Sequence, residues 1–381
     1  MKKIIPYGKQ VIDKKDIQSV NEVLESDFLT TGPKIKEFEE RFAEYVGAKY
    51  AVVVSSGTAA LHLACLAVDL ESGQELITSP MTFAASANCA LYCGAKPVFV
   101  DIKDKNGLID ETLIERKITK NTKVIIPVHY AGLPCNMEKI KEIADKYNLT
   151  LIEDACHALG AEYKKTKIGD CFYSSMTVFS FHPVKHITTG EGGMITTNSE
   201  ELYKKLIVLR SHGITKNYDD LLNKNEGAWF YEMQFLGFNY RITDFQCALG
   251  ISQLKKIESF VKRRREIAKK YDESFADISE IKMIEQSKDS KNAYHLYVIM
   301  VRDKEKRLEL FNYLKERDIF CQVHYIPVHW HPYYQKLGYK KESCIQSGEF
   351  YEKVISLPIY PGLKKDEQDR IIETIKNFYE R

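Results

Sequence analysis

The chain runs to 381 residues, 44% hydrophobic and 28% charged, a globular balance in a length that exceeds one ordinary core and suggests about two domains. Its 55 basic and 53 acidic residues leave a formal net charge of +2, which gives no general reason to expect nucleic acid or a membrane surface as partner. Nine scattered cysteines without a CxxC pair argue against a disulfide framework or a zinc site and read as small core filler in a reducing cytosol. The opening MKKIIPYGK lacks the apolar run of a signal peptide, and no later window reaches the ~18 apolar residues of a spanning helix, so a cytoplasmic location is expected.

Residues 14–26 and 34–46 carry apolar side chains at helical spacing with charges opposite, and read as amphipathic surface helices. From residue 50 the texture changes to short apolar runs at 51–55, 75–79, 97–101, 124–129, 149–154, 176–181 and 193–198, giving seven expected strands. Several are continuous rather than alternating, as strands buried on both faces of a mostly parallel sheet should be. The first five are separated by segments long enough for crossover helices, which completes an α/β reading. After about residue 240 the chain turns helical and basic, with one long helix expected over ISQLKKIESFVKRRREIAKKYDESF. NAYHLYVIMV, a helix near 305–317, QVHYIPVHW and a closing helix at 365–379 follow, an α+β texture. The expectation is a large α/β domain over 1–255 and a smaller α+β domain over 256–381. With charge balanced elsewhere, KRRRE is expected on the solvated face of the linking helix rather than in a nucleic-acid patch.

In an open α/β sheet, ligands gather beyond the carboxyl ends of the strands, so the residues after each run bear on chemistry. The first strand leads into SSGTAALHLA, where Gly57 allows close approach, Thr58 adds a hydroxyl and a helix start offers free N–H groups to a phosphate. An ordinary empty N-cap fits the same residues. No GxxxxGK[ST] or GxGxxG occurs, so neither ATP nor NAD is indicated. The fifth strand ends in IEDACHALG, placing Asp154 at a carboxyl end with His157 three residues on, a solvated acid being the alternative. The sixth delivers Ser180 and then Lys185, ahead of three glycines in GEGG. A lysine there is a candidate to condense with a carbonyl. Lysine, carboxylate and anion site together form the set required by pyridoxal phosphate, which also needs a flat surface against its ring. Phe83 of SPMTFAAS can supply one, or pack in the core.

The series LTTGPKIKEFEERFAEYVGAKYAVVVSSGTAAL, TFAASANCALYCGAKPVFVDI, IEDACHALGA, SFHPVKHITTGEGGM, RSHGI, GFNYRITDFQCALGISQL and QVHYIPVHWHPYY, in that order, resembles the DegT/DnrJ/EryC1/StrS sugar aminotransferases nearly end to end. The resemblance implies the aspartate aminotransferase-like fold, pyridoxal phosphate transferase fold type I. It also implies Lys185 as the lysine bonded to the cofactor, Asp154 as partner of the pyridine nitrogen, and His157 beside the phenolic oxygen. Gly57, Thr58 and Ser180 would hold the phosphate and Phe83 would stack on the ring. Asn239 would reach across a homodimer interface to the other subunit's cofactor.

Within that family SANCALYCGAKPVF, SFHPVKHITTGEGGM, GFNYR and QVHYIPVHWHPYY most resemble members acting in pseudaminic acid biosynthesis, which aminate C4 of a UDP-linked 2-acetamido-2,6-dideoxy-4-hexulose. L-glutamate is then the expected amino donor. Tyr7, Asp27, Phe28, Leu29 and Thr30, and Ile326, Pro327, Val328 and His329, match stretches lining the substrate site in the resembling enzymes. Arg241 is the candidate for a diphosphate contact, or else for a structural ion pair. His324, His329 and His331 are not read as zinc ligands, because no cysteine or acid in their motif completes a set. Open alternatives are a dTDP- or GDP-linked 4-keto sugar, as in the relatives making 4-amino-arabinose or perosamine, and two other classes. One is a dehydratase of this fold, in which histidine replaces the lysine; the other is a binding protein without turnover.

Overall fold

A computed structural model of the protein describes residues 4–380. The seven apolar runs all form strands of one sheet: β1 (Tyr50–Val54), β2 (Glu75–Thr78), β3 (Lys96–Phe99), β4 (Thr122–Ile126), β5 (Thr150–Asp154), β6 (Met176–Ser180) and β7 (Gly193–Thr197). They lie in the order β1-β7-β6-β5-β4-β2-β3. Pairing is parallel from β3 through β2, β4 and β5 to β6, while β7 runs antiparallel to both of its neighbours. Every strand except β7 therefore ends on the same edge, where the loops that follow can converge.

Helices α1 (Lys14–Leu24) and α2 (Pro33–Val46) keep the amphipathic character of their sequences. Helix α3 (Gly57–Ala67) differs: GTAALHLACLA is buried almost all round, as a helix without a polar face must be, and it lies beneath β6 and β7. Helix α4 (Ala85–Tyr92) packs beside it, α5 (Met137–Lys146) links β4 to β5, and α6 (Glu200–Arg210) follows β7.

The expected single basic helix is two, α7 (Asp244–Leu254) and α8 (Ile257–Phe275). The break at Lys255–Lys256 lets Asp16 of α1, itself fully buried, accept from Ser252 Oγ (2.7 Å), Gln253 Nε2 (2.8 Å) and Lys256 Nζ (2.5 Å). The KRRRE run also departs from the expected solvated face. Arg264 is 1% exposed and donates through Nη1 to the carbonyls of Tyr294, His295 and Ile359 at 3.0–3.2 Å, while Arg265 reaches the carbonyls of Asn292 and Gly160. Burial holds the Arg264 guanidinium down at about 9. These arginines staple α8 to the segments beside it.

The C-terminal part forms a separate three-stranded sheet of Ile281–Met283, Tyr297–Val301 and Val354–Leu357, under the helices Lys304–Lys315 and Lys365–Tyr379. Its apolar cluster takes in Ile5, whose N–H bonds Asp318, so the start of the chain crosses to this unit, and residue 255 falls in the break between α7 and α8. All nine cysteines are free thiols and seven are buried. No helix among the described residues is long and apolar enough to cross a membrane.

β1 is a sheet edge, and the outward groups of Val53 are satisfied by side chains. Glu39 of α2 accepts from Val53 N–H (2.9 Å) and from Arg210 Nη1 (2.5 Å), and Arg210 donates to the Val53 carbonyl (2.6 Å). Burial outweighs the arginine and raises the Glu39 carboxyl above its usual range. Glu39→Ala strands a mostly buried guanidinium and a strand N–H together, and we expect it to cost about 3–5 kcal/mol, seen as a lower urea midpoint; an unchanged midpoint would contradict this role.

Candidate active site

The strand ends enclose a cavity of about 560 Å3 between the large sheet and the C-terminal unit. Its floor depends on glycine. A Cβ at Gly57 would stand 2.9 Å from Ser180 Cβ and 3.3 Å from Cys156 Sγ, and a Cβ at Gly193 would stand 2.4 Å from the Ser56 carbonyl oxygen. Without side chains at either position, the start of α3 is pressed against the carboxyl ends of β5 and β6 and the start of β7. Ser56 caps the helix by accepting from Ala59 N–H at 3.1 Å, leaving the first N–H groups of Gly57 and Thr58 for a ligand.

Asp154 closes β5 and is 4% exposed. Its Oδ1 accepts from Cys156 N–H (3.1 Å) and its Oδ2 from Ser86 Oγ (2.6 Å), which lies 2.7 Å from Thr82 Oγ1. One turn on, His157 Nε2 is 3.0 Å from the Tyr325 hydroxyl, and the His157 ring centroid is 4.4 Å from that of His295. Burial drives His157 well below the usual histidine range, and the neighbouring Lys185 adds to this, so its ring is neutral. Its Nδ1 is buried with no partner among the described residues.

Lys185 lines the same cavity. Burial lowers its pKa from the ordinary lysine value, opposed by the Cys156 thiol and the Asp154 carboxylate and reinforced by Arg264. That favours the free amine, the form that attacks carbonyls and takes up protons. The loop after it is held rather than loose: Thr188 Oγ1 bonds the Phe181 carbonyl, Thr189 Oγ1 bonds that of Glu191, and Phe181 N–H bonds that of Gly192.

Eight of the residues singled out in the sequence meet here: Tyr7, Gly57, Thr58, Phe83, Asp154, His157, Ser180 and Lys185. Phe83 is 63% exposed, which a core aromatic is not. The other candidate cofactor and substrate residues lie outside the cavity. Asp27, Phe28, Leu29 and Thr30 are exposed; Leu29 and Thr30 pair with Asp244 and Thr243, close in sequence to Arg241 and the exposed Asn239, so these two stretches lie side by side. Ile326 is exposed, whereas Pro327, Val328 and His329 are buried: Val328 N–H bonds the Pro80 carbonyl, and His329 packs on Phe99 with Nε2 3.1 Å from the Lys341 carbonyl.

Of the histidines flanking Lys185, His182 lines the cavity and His186 is buried, with Nε2 3.1 Å from the Ala293 carbonyl. His324 lines it too, and burial pushes it down to about 3. No group of three or more His, Cys, Asp or Glu side chains among the described residues could hold a metal ion. Sequence reasoning passed over Thr82, Ser86, Cys156, His295 and Tyr325. Ser86 alone carried a usable signal, standing one helical turn from Phe83.

A family model described as the DegT/DnrJ/EryC1/StrS aminotransferase family matches residues 10–376. The chain is 42% identical to the spore coat polysaccharide biosynthesis protein SpsC of Bacillus subtilis, over 98% of this chain and 96% of that protein. It is 40% identical to the UDP-4-amino-4,6-dideoxy-N-acetyl-beta-L-altrosamine transaminase of Campylobacter jejuni, over 99% of this chain and 100% of that one. The fold overlays, with a TM-score of 0.92 and 32% identity over 99% of both chains, on a putative sugar aminotransferase of Streptococcus pneumoniae in its pyridoxal phosphate form.

Pyridoxal phosphate is accordingly the cofactor, and the residues fit it. The glycine-floored start of α3 suits a phosphate, the partnerless His157 Nδ1 suits a phenolic oxygen, and Asp154 suits a protonated pyridine nitrogen. Because folding lowers the Lys185 pKa, charging this amine costs stability whenever the pH is below the folded value. The cost fades as the pH rises toward the ordinary lysine value of about 10.4. Lys185→Met should therefore stabilise the cofactor-free protein at neutral pH, with a gain that shrinks toward pH ~10; a gain independent of pH would show that the amine is not perturbed.

Proposed function

The chain belongs to the DegT/DnrJ/EryC1/StrS aminotransferase family, and from that premise we propose that it moves an amino group from L-glutamate to C4 of a UDP-linked 4-keto sugar. The substrate is UDP-2-acetamido-2,6-dideoxy-β-L-arabino-hexos-4-ulose and the product UDP-4-amino-4,6-dideoxy-N-acetyl-β-L-altrosamine, a step of pseudaminic acid biosynthesis. The observation that carries the chemistry is the convergence of Lys185, Asp154 and the start of α3 on one cavity. The end-to-end likeness to the Campylobacter transaminase supports the sugar.

Pyridoxal phosphate, when bound, supplies an electron sink and carries the amino group between donor and acceptor. The protein's own residues do the rest. Gly57, Thr58 and Ser180 hold the phosphate, Phe83 stacks on the ring, and Asp154 keeps the pyridine nitrogen protonated so that the ring withdraws electrons. His157, neutral and fixed by Tyr325, donates at the phenolic oxygen. Lys185 anchors the cofactor covalently; once displaced by the donor, its Nζ takes a proton from the donor's α-carbon and later delivers one to C4 of the sugar. Its lowered pKa suits both duties.

Lys185 is the one lysine or arginine among the described residues lining the cavity, so the diphosphate and the donor's carboxylates need cations from the rim. Arg241 takes the diphosphate, and the exposed stretch from Asp27 to Thr30 and the exposed Ile326 flank the sugar nucleotide, with Tyr7 at the inner wall. Asn239 serves the cofactor phosphate of a second copy, which makes the working unit a homodimer. A different 4-keto sugar nucleotide is the second reading, favoured by the comparable likeness to SpsC. The dehydratase reading needs a histidine where this chain has Lys185.

The test is incubation with L-glutamate and a panel of UDP-, dTDP- and GDP-linked 4-keto sugars, with product analysis. The UDP-linked L-arabino ketone should lead the panel by at least about tenfold in kcat/KM, a difference of ~1.4 kcal/mol in transition-state stabilisation; preference for a dTDP or GDP sugar would refute the sugar assignment. Lys185→Ala should lower turnover by about 10²–10⁴-fold or more, and retained turnover would refute the mechanism.

A further inference from the structure

The carboxylate of Asp154 does not stand alone. Ser86 is 1% exposed and Thr82 3% exposed, so the short contacts from Thr82 Oγ1 to Ser86 Oγ and from Ser86 Oγ to Asp154 Oδ2 are made away from water. A hydroxyl carries one proton, and an ionised carboxylate can only accept. At 2.6 Å, Ser86 must therefore spend its proton on Asp154, in preference to the Phe83 carbonyl at 3.4 Å. Its oxygen is then left as an acceptor, which fixes the Thr82 proton as the one lying between the two hydroxyls. The direction of the chain is settled: Thr82 donates to Ser86, and Ser86 donates to Asp154. Cys156 N–H holds the other carboxylate oxygen, so neither oxygen of Asp154 is free to rotate.

The relay's place in the fold adds to this. Thr82 and Phe83 lie in the segment that leads into α4 and Ser86 in its first turn, whereas Asp154 ends β5. One short segment thus sets both the ring surface and the grip on the carboxylate. Hydrogen bonds to a buried charge are among the stronger ones, and a hydroxyl polarised by a second donor binds more firmly still.

We propose that Ser86, backed by Thr82, is a positioning residue for the aminotransfer reaction, fixing the orientation in which Asp154 meets the pyridine nitrogen of the cofactor. This rests on the assignment of Asp154 to that nitrogen. Ser86 lines the cavity, but its hydroxyl proton is spent on Asp154, so its effect on the reaction runs through that carboxylate.

The experiment titrates cofactor-free protein with pyridoxal phosphate and follows its visible band across pH, for wild type, Ser86→Ala, Ser86→Thr, Thr82→Val and Asp154→Asn. Ser86→Ala should weaken cofactor binding by roughly ten- to a hundredfold and shift the pH midpoint of the band. Ser86→Thr, which keeps the hydroxyl, should restore both. Thr82→Val should weaken binding less, and should add nothing in the Ser86→Ala background, because the two act in one chain. Wild-type affinity and midpoint in Ser86→Ala, with Asp154→Asn impaired, would overturn the relay and leave the role of Asp154 standing. An unimpaired Asp154→Asn would overturn that role and the relay with it. Should Ser86→Ala fail to fold, Thr82→Val carries the test alone: an unshifted midpoint and wild-type affinity would overturn the proposal.

Discussion

The site depends on one close approach. The start of α3 must lie against the carboxyl ends of β5 and β6 and the start of β7, and backbone and side-chain atoms there leave no room for a methyl at Gly57 or Gly193. From that contact follow the anion-binding helix start, the neighbourhood of Ser180, Cys156 and Asp154, and the seat of Lys185. The apolar girth of α3 is what drives it under the sheet, since a helix without a polar face is stable only when covered. The glycines then decide how near it comes.

The electrostatics of the cavity follow from its burial. Lys185 is surrounded by His157, His295 and His324, all pushed toward the neutral form by loss of solvent; of the two carboxylates lining the space, Asp154 and Glu191, Asp154 is the one that acts on the lysine. A lysine so placed has little to hold its charge, whereas the carboxylate is gripped from both sides. The cavity thus separates two duties: an amine able to take and return protons, and an acid kept in one orientation. Neutral histidines fill the space between without contributing charge.

The fold was legible in the sequence because it rests on period and length. Continuous apolar runs such as VIIPVH can only be buried strands, and the residues after them met at one edge because parallel strands end together. Gly57, Asp154, Ser180 and Lys185 could be found that way. Tyr325 and His295 could not, because they come from the C-terminal unit and meet His157 through tertiary packing that no local pattern records. The break between α7 and α8 was hidden because its cause is distant: Asp16, far earlier in the chain, gathers Ser252, Gln253 and Lys256. Arg264 read as a surface charge because its partners are backbone carbonyls, which leave no mark in a sequence. Of the glycines after Lys185, Gly193 owes its place to contact with Ser56, another neighbour distant in the chain.

The central claim is that Lys185 is the covalent seat of the cofactor. It is tested most directly by treating the purified holoprotein with a hydride reductant, which makes the lysine–cofactor linkage permanent, and mapping the modified peptide by mass spectrometry. The account predicts a single pyridoxyl-phosphate adduct on Lys185, lost when the protein is first incubated with L-glutamate. An adduct on another lysine, or none in protein that retains aminotransferase activity, would contradict it.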